Sequence, residues 1–221
     1  MALAFLTAPF ALFAQEKSVE DSFLEETMGL QVIRETSKSI DRETKLQALD
    51  FIKTQLDGGN KSPEIREVLR DLAGQGSYRQ ERVDGRIANL FTEVRLRATE
   101  YLGEYSKEES APILRDIIKV EAEPSVITQA VQSLEKSEAY DDITMQTVEK
   151  YFRHFHIRKP PDARLAAAVL SYYNSAPEPK PDYIWQTVRD IFDRTGNYTH
   201  NVRLIAQQVL AAKSSVSAAS R

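Results

Sequence analysis

Apolar residues return at intervals of three and four through most of the chain: Phe23, Leu24, Met28 and Val32, then Ile65, Val68, Leu69 and Leu72, then Ile113, Leu114, Ile117 and Ile118. The same spacing recurs at Ile143, Val148, Tyr151 and Phe152, and at Ile184, Val188, Ile191 and Phe192. A helix of 3.6 residues per turn puts such positions on one face, so each run predicts an amphipathic helix. No run alternates convincingly with a period of two. Prolines stand at the junctions (Pro63, Pro112, Pro124, Pro160, Pro161, Pro177, Pro179 and Pro181), where a helix start or a loop tolerates the missing N–H. The pattern predicts an all-α chain.

Between these runs lies a second pattern that repeats with its side-chain types. VRLRATEYL from Val94 is matched by TKLQALDFI from Thr44, VITQAVQSL from Val126, ARLAAAVLS from Ala163 and VRLIAQQVL from Val202. Four places in, each copy has alanine: Ala48, Ala98, Ala130, Ala167 and Ala206. One place in stand Lys45, Arg95, Ile127, Arg164 and Arg203, and the starts are 50, 32, 37 and 39 residues apart. Positions zero, four and eight form a narrow seam on a helix, and a small residue in its middle lets a neighbouring helix approach closely. The pairs expected are helices 19–39 with 42–56, 63–73 with 90–105, 110–120 with 124–137, 140–155 with 161–173, and 181–194 with 200–213.

Helix pairs whose second member reads V-R-x-x-A-x-x-x-L at a period near 40 resemble HEAT repeats, of an exported bacterial type. The resemblance runs from about Val19 to Ala212 and is best around Val94 and Val202. It implies a right-handed α-solenoid of about five helix pairs whose concave side, lined by the second helices, takes a protein partner. A tetratricopeptide array is the rival helical reading, but its regular spacing and its Trp, Gly and Tyr positions are missing, and Trp185 falls outside any such pattern.

Composition narrows the function. A formal net charge of −4 argues against a general nucleic-acid binder, which needs clustered cations. The chain has no cysteine, which excludes disulfides, thiolate chemistry and zinc–thiolate sites. MALAFLTAPFALFA carries no charge and turns polar at Gln15, as a signal peptide does, and it is too short to cross a bilayer. The domains expected are a signal peptide over 1–14, the helical array over 15–213 and a disordered tail over 214–221, with a periplasmic or secreted destination and no integral membrane segment after cleavage. A first core helix is the other reading of the N-terminus.

Candidate contact residues come from the arc that the seam leaves open, at positions three, six and ten. The first three rows of that arc are polar. The fourth, Ala166, Val169 and Tyr173, and the fifth, Ile205, Gln208 and Ala212, are mostly apolar. Exposed apolar surface marks contact sites, so Ala166, Val169, Tyr173 and Ile205 are expected to bind a partner, with Tyr173 the anchor. The long spacing between the first two copies marks an insertion over 74–91 whose Arg79, Arg82 and Arg86 offer a second, electrostatic contact, and whose VDGRI stretch fits a tight Asp-Gly turn. The cations at position one read as a ladder to acids or helix-end carbonyls of neighbouring repeats. His154 and His156, two apart on a helix, point in different directions and make a poor metal pair. No catalytic, metal or cofactor residues are expected. The expected function is a non-enzymatic scaffold for an envelope protein or for a second copy of itself. A HEAT-like lyase or accessory factor and a HEAT-type nucleic-acid binder are the alternatives.

Overall fold

A computed structural model describes residues 29–78, 80–193 and 197–219, the side chains of Val83, Arg86 and residues 213–219 excepted. The expected signal peptide, the part of the first helix before residue 29, and Arg79 lie outside the described residues. Within them are ten helices packed against one another. Helix α1 covers 29–37, followed by α2 (Arg42–Asp57), α3 (Pro63–Ala73), α4 (Thr92–Leu102), α5 (Lys107–Val120) and α6 (Pro124–Lys136). The last four are α7 (Asp142–His156), α8 (Ala163–Ser175), α9 (Asp182–Phe192) and α10 (His200–Ala219). α10 thus continues past the expected end at 213.

Local chemistry sets the helix starts. The carboxylates of Asp41, Asp141 and Asp162 accept the N–H of Thr44, Thr144 and Leu165, and the Ser62 hydroxyl accepts that of Ile65. Each satisfies an N–H that the first turn leaves without a partner. Pro63 and Pro124 open their helices, where no hydrogen bond is lost. The insertion between α3 and α4 contains the predicted turn. Two-residue strands β1 (Arg82–Val83) and β2 (Arg86–Ile87) pair antiparallel, Val83 opposite Arg86, around Asp84 (φ 49°) and Gly85 (φ 77°). Both turn residues need positive φ, which Asp tolerates and Gly adopts without cost.

Contacts alternate along the chain. α3 packs on α4, α5 on α6, α7 on α8 and α9 on α10, while the even-numbered helices touch in series from α2 to α10. This two-layer order is compatible with a helical-repeat solenoid. Two of the four cations at position one, Lys45 and Arg95, bind within it. Lys45, fully buried, donates from Nζ to the Ser37 carbonyl at the end of α1 (3.0 Å), and burial holds its pKa below the usual value against the opposing effect of Glu81. Arg95 donates from Nε to Glu121 Oε2 (2.9 Å), both side chains being almost wholly buried. The other oxygen of Glu121 accepts the N–H groups of Ala122 and Glu123, so one carboxylate joins α4, the end of α5 and the start of α6.

Burial corrects the register of the fourth copy. In α4 the buried set is Val94, Arg95, Ala98, Thr99, Tyr101 and Leu102, and in α6 it is Val126, Ile127, Ala130, Val131, Ser133 and Leu134, the same six positions in each. α8 repeats that set when its frame opens at Leu165 rather than Ala163: Leu165, Ala166, Val169, Leu170, Tyr172 and Tyr173, with Ala168 buried as well. The run Ala166-Ala167-Ala168 offers three alanines to match, but the core needs the bulk of Leu165, Leu170 and Tyr173. Val169 therefore takes the place that alanine holds elsewhere, and Arg164 falls outside the seam and is exposed.

Three expected contact residues are corrected by this shift. Ala166, Val169 and Tyr173 are all at 0% exposure and belong to the core, not to an open arc. Tyr173 donates its hydroxyl to Glu149 Oε2 of α7 (2.8 Å), and burial, with that carboxylate alongside, pushes its pKa well above the usual value. In the corrected frame the fourth row of the arc is Ala168, Ser171 and Ser175, of which Ser171 and Ser175 are exposed.

Candidate protein-binding groove

The junctions between successive even-numbered helices differ in what spans them. From α2 to α4, Arg42 pairs with Glu93 and Asp50 with Arg97; from α4 to α6, Lys136 pairs with Glu104 (2.6 Å). Between α6 and α8 the facing residues are Thr128, Gln129 and Gln132 on one side and Ala163, Ala167, Ala168 and Ser171 on the other. No cation stands opposite a carboxylate in an ion pair there among the described residues. Glu135 instead accepts the hydroxyls of Ser171 (2.9 Å) and Ser175 (2.7 Å), which draws the helices together at one end only. Short side chains leave the rest open, as a groove of about 1020 Å³.

The groove has an apolar floor and a polar rim. Leu96, Ala163, Ala167 and Ala168 supply the methyl and aliphatic surface. Glu123, Glu135 and Asp162 stand with Arg158 and Arg164 around it, so both signs of charge are present. Pro160 and Pro161 close the end beyond α7, where the Arg158 guanidinium lies 4.1 Å from the centre of the Phe155 ring. That stacking fixes the cation over an aromatic face. The side-chain amides of Gln129 and Gln132 make no hydrogen bond among the described residues, and Gln132 is exposed. Each amide can donate and accept at once.

The expected site residues are not brought together. Ile205 is half-buried on α10, while Ala166, Val169 and Tyr173 are interior. Arg82 lies on the hairpin between α3 and α4, its guanidinium donating to the Gly85 carbonyl (3.1 Å) and to Gln80 (3.0 Å). Arg86 lies in β2. The groove residues Gln129 and Gln132 belong to the polar third row of the arc. Ala167 and Ser171 were hidden by the two-residue register error, and aligning α8 on its large apolar residues would have revealed them.

The other titratable cluster joins α7, α8 and α9, with Glu149 buried and Arg153 and Asp190 at the surface. Arg153 pairs with Glu149 (2.5 Å) and Asp190 (3.3 Å), and Thr187 donates to the same Glu149 oxygen (2.6 Å). His156 meets the Tyr198 hydroxyl at 2.9 Å through Nδ1, and burial lowers its pKa, with Asp190 and Glu149 opposing and Arg153 reinforcing. Among the described residues no group of His, Asp and Glu is arranged to hold a metal, and no helix is long and apolar enough to cross a membrane. Comparison of the chain with protein-family models, with curated proteins and with solved structures gave no match.

Proposed function

We propose that this chain is a non-enzymatic protein-interaction scaffold, a HEAT-like right-handed α-solenoid of five helix pairs that seats a segment of a partner protein in the groove between α6 and α8. The observation that carries the reading is the pairing of an open, small-residue floor with two amides, Gln129 and Gln132, that have no partner among the described residues. An extended segment brings unpaired main-chain N–H and C=O groups, which such amides satisfy on both sides. Its small or apolar side chains then cover Leu96, Ala163 and Ala167, and burial of that surface supplies the affinity. The mixed charges of the rim select orientation and speed encounter more than they tighten the complex.

The repeat order and the position-one contacts of Lys45 and Arg95 support the solenoid part of the reading. The uncharged, apolar run over residues 1–14 supports export to the periplasm or beyond, with a mature chain from Gln15. Mass spectrometry of native protein checks that point, and an intact Met1 on cytosolic protein would contradict it. For the groove, a photo-crosslinking residue at Gln132 or Ala167 should capture one defined segment of a partner in living cells, while the same residue at Glu67, on the exposed side of α3, should not. Capture that is equal at the two kinds of position would refute the groove.

A further inference from the structure

The burial profile that repeats through the even-numbered helices fails at the two ends of the array, and on opposite sides. Position five is buried in α2, α4, α6 and α8 (Leu49, Thr99, Val131 and Leu170) but is the exposed Gln207 in α10. Position seven is buried in α4, α6, α8 and α10 (Tyr101, Ser133, Tyr172 and Val209) but is Phe51, 40% exposed, in α2. A hydrogen bond shows why: the Ser133 hydroxyl, at position seven of α6, donates to the carbonyl of Thr99, at position five of α4 (2.9 Å). Position five faces the next helix pair and position seven the previous one. Each end of the array is therefore one half of an internal junction.

The odd-numbered layer gives that junction an electrical direction. Arg66 of α3 pairs with Glu109 of α5, Arg115 of α5 with Asp141 at the start of α7 (3.7 Å), and Arg153 of α7 with Asp190 of α9 (3.3 Å). In each case the arginine comes from the earlier pair and the acid from the later one. Arg189 of α9 has no carboxylate partner among the described residues, and it lines an open groove with Phe192, Arg203 and Leu204 at the last pair. Phe192 and Leu204 are 43% and 42% exposed, and Arg203 Nε is buried without a hydrogen bond. At the first pair stand the apolar Val32, 55% exposed, and Phe51, with the exposed acid Glu35 three residues after Val32 on α1, its ion-pair partner Lys38 lying just past the end of that helix. One end is apolar with two arginines that make no ion pair among the described residues, beside Asp193; the other is apolar with an acid whose one ion pair is an exposed local contact.

We propose that these ends are the two halves of one interface, and that the chain associates head to tail with a second copy of itself, the α9–α10 end of one molecule receiving the α1–α2 end of the next. The contact is heterologous, so it leaves a free end at each step and extends past a dimer as concentration rises, into a ring where the rotation closes and an open series where it does not. It goes beyond the groove reading and does not depend on it, since none of the α6–α8 groove residues takes part.

Sedimentation of the full chain over a wide concentration range is the test. The weight-average mass should rise past that of a dimer, and less so at high salt, where the arginine–acid contacts are screened. Arg189→Glu with Phe192→Ser blocks one end, and Phe51→Gln blocks the other; each variant alone should remain monomeric. Mixed in equal amounts, the two should form dimers and nothing larger, because only one compatible pair of ends survives. Circular dichroism checks that the variants fold, and Gln207→Trp, at an exposed position, provides an independent block of the α10 end. A chain that stays monomeric throughout, variants that associate as the unaltered chain does, or a mixture that stays monomeric would each overturn the proposal.

Discussion

The α4–α6 and α6–α8 junctions are built from the same repeat and serve different ends. At the first, Gly103 lets the backbone come so near that an added Cβ would sit 3.0 Å from the Ser133 Cβ, and Lys136 and Glu104 bridge the arc. Beside it, Arg95 and Glu121 are locked in the interior. At the second, the arc is bridged only by serine hydroxyls on Glu135, and alanines line what is left open. An identical core face thus carries either a closed or an open outer face. The choice is made by a few residues, mostly at positions two, three, six and ten and mostly outside the packed face.

The largest effect is expected on the closed side. Arg95→Met strands the Glu121 carboxylate in the interior, and loss of one partner from a buried ion pair costs about 3–5 kcal/mol; urea denaturation measures it. Adding Glu121→Gln should recover part of that loss, because the remaining side chain is neutral and still accepts the N–H groups of Ala122 and Glu123.

A smaller effect separates the two junctions and tests the register directly. Ala130→Leu adds three carbons to a position at 0% exposure and should cost about 1–3 kcal/mol. Ala167→Leu, which projects into the groove, should change stability by less than about 0.5 kcal/mol and abolish capture of the partner segment. Equal losses of stability at the two alanines would restore the frame that opens at Ala163.

That contrast also shows what the chain made legible. Helix content and the alternation of helices followed from spacing, because burial of one face imposes a 3.6-residue period, and the Asp-Gly turn followed from its residue types. Lys45 and Arg95 were readable as cations reaching a helix-end carbonyl and an acid because long cations recurred at one place in the seam, but Lys45 finds its carbonyl within its own helix pair and Arg164 is exposed outside the seam. The α8 register was not readable from the alanine motif. Three consecutive alanines carry no volume information, and the residue that decides, Tyr173, looks equally suited to a core or to an interface until its hydroxyl is seen on Glu149. The groove was hidden for a related reason: it is defined by what Ala167 and Ser171 lack, and absence of bulk leaves no periodic signal.

Helix starts should respond next. Burial raises the pKa of Asp141, but the O–H and N–H of Thr144 and the nearby Arg115 outweigh it and hold the carboxyl below its ordinary value. Such a group stabilises the fold above the ordinary aspartate range, and its contribution is lost as pH falls below about 4 toward the depressed value. Asp141→Ala should lose about 1 kcal/mol at neutral pH and show a shallower decline on acidification than the unaltered chain, followed by thermal melts across the acid range. Least of all should follow from Glu104→Gln. It breaks the bridge to Lys136 on the closed arc, and exposed pairs contribute about 0–1 kcal/mol; a double-mutant cycle with Lys136→Met isolates the pair.

Hydrogen exchange on the whole chain tests the central claim most directly, measured with and without the captured partner segment supplied as a synthetic peptide. Binding in the groove should slow exchange in α6, in the first turns of α8 and in the 157–162 turn and leave α2, α3 and the 82–87 hairpin unchanged, whereas in Ala167→Leu the peptide should slow exchange nowhere. Protection centred on α10 or on the hairpin, or protection that survives Ala167→Leu, would contradict it.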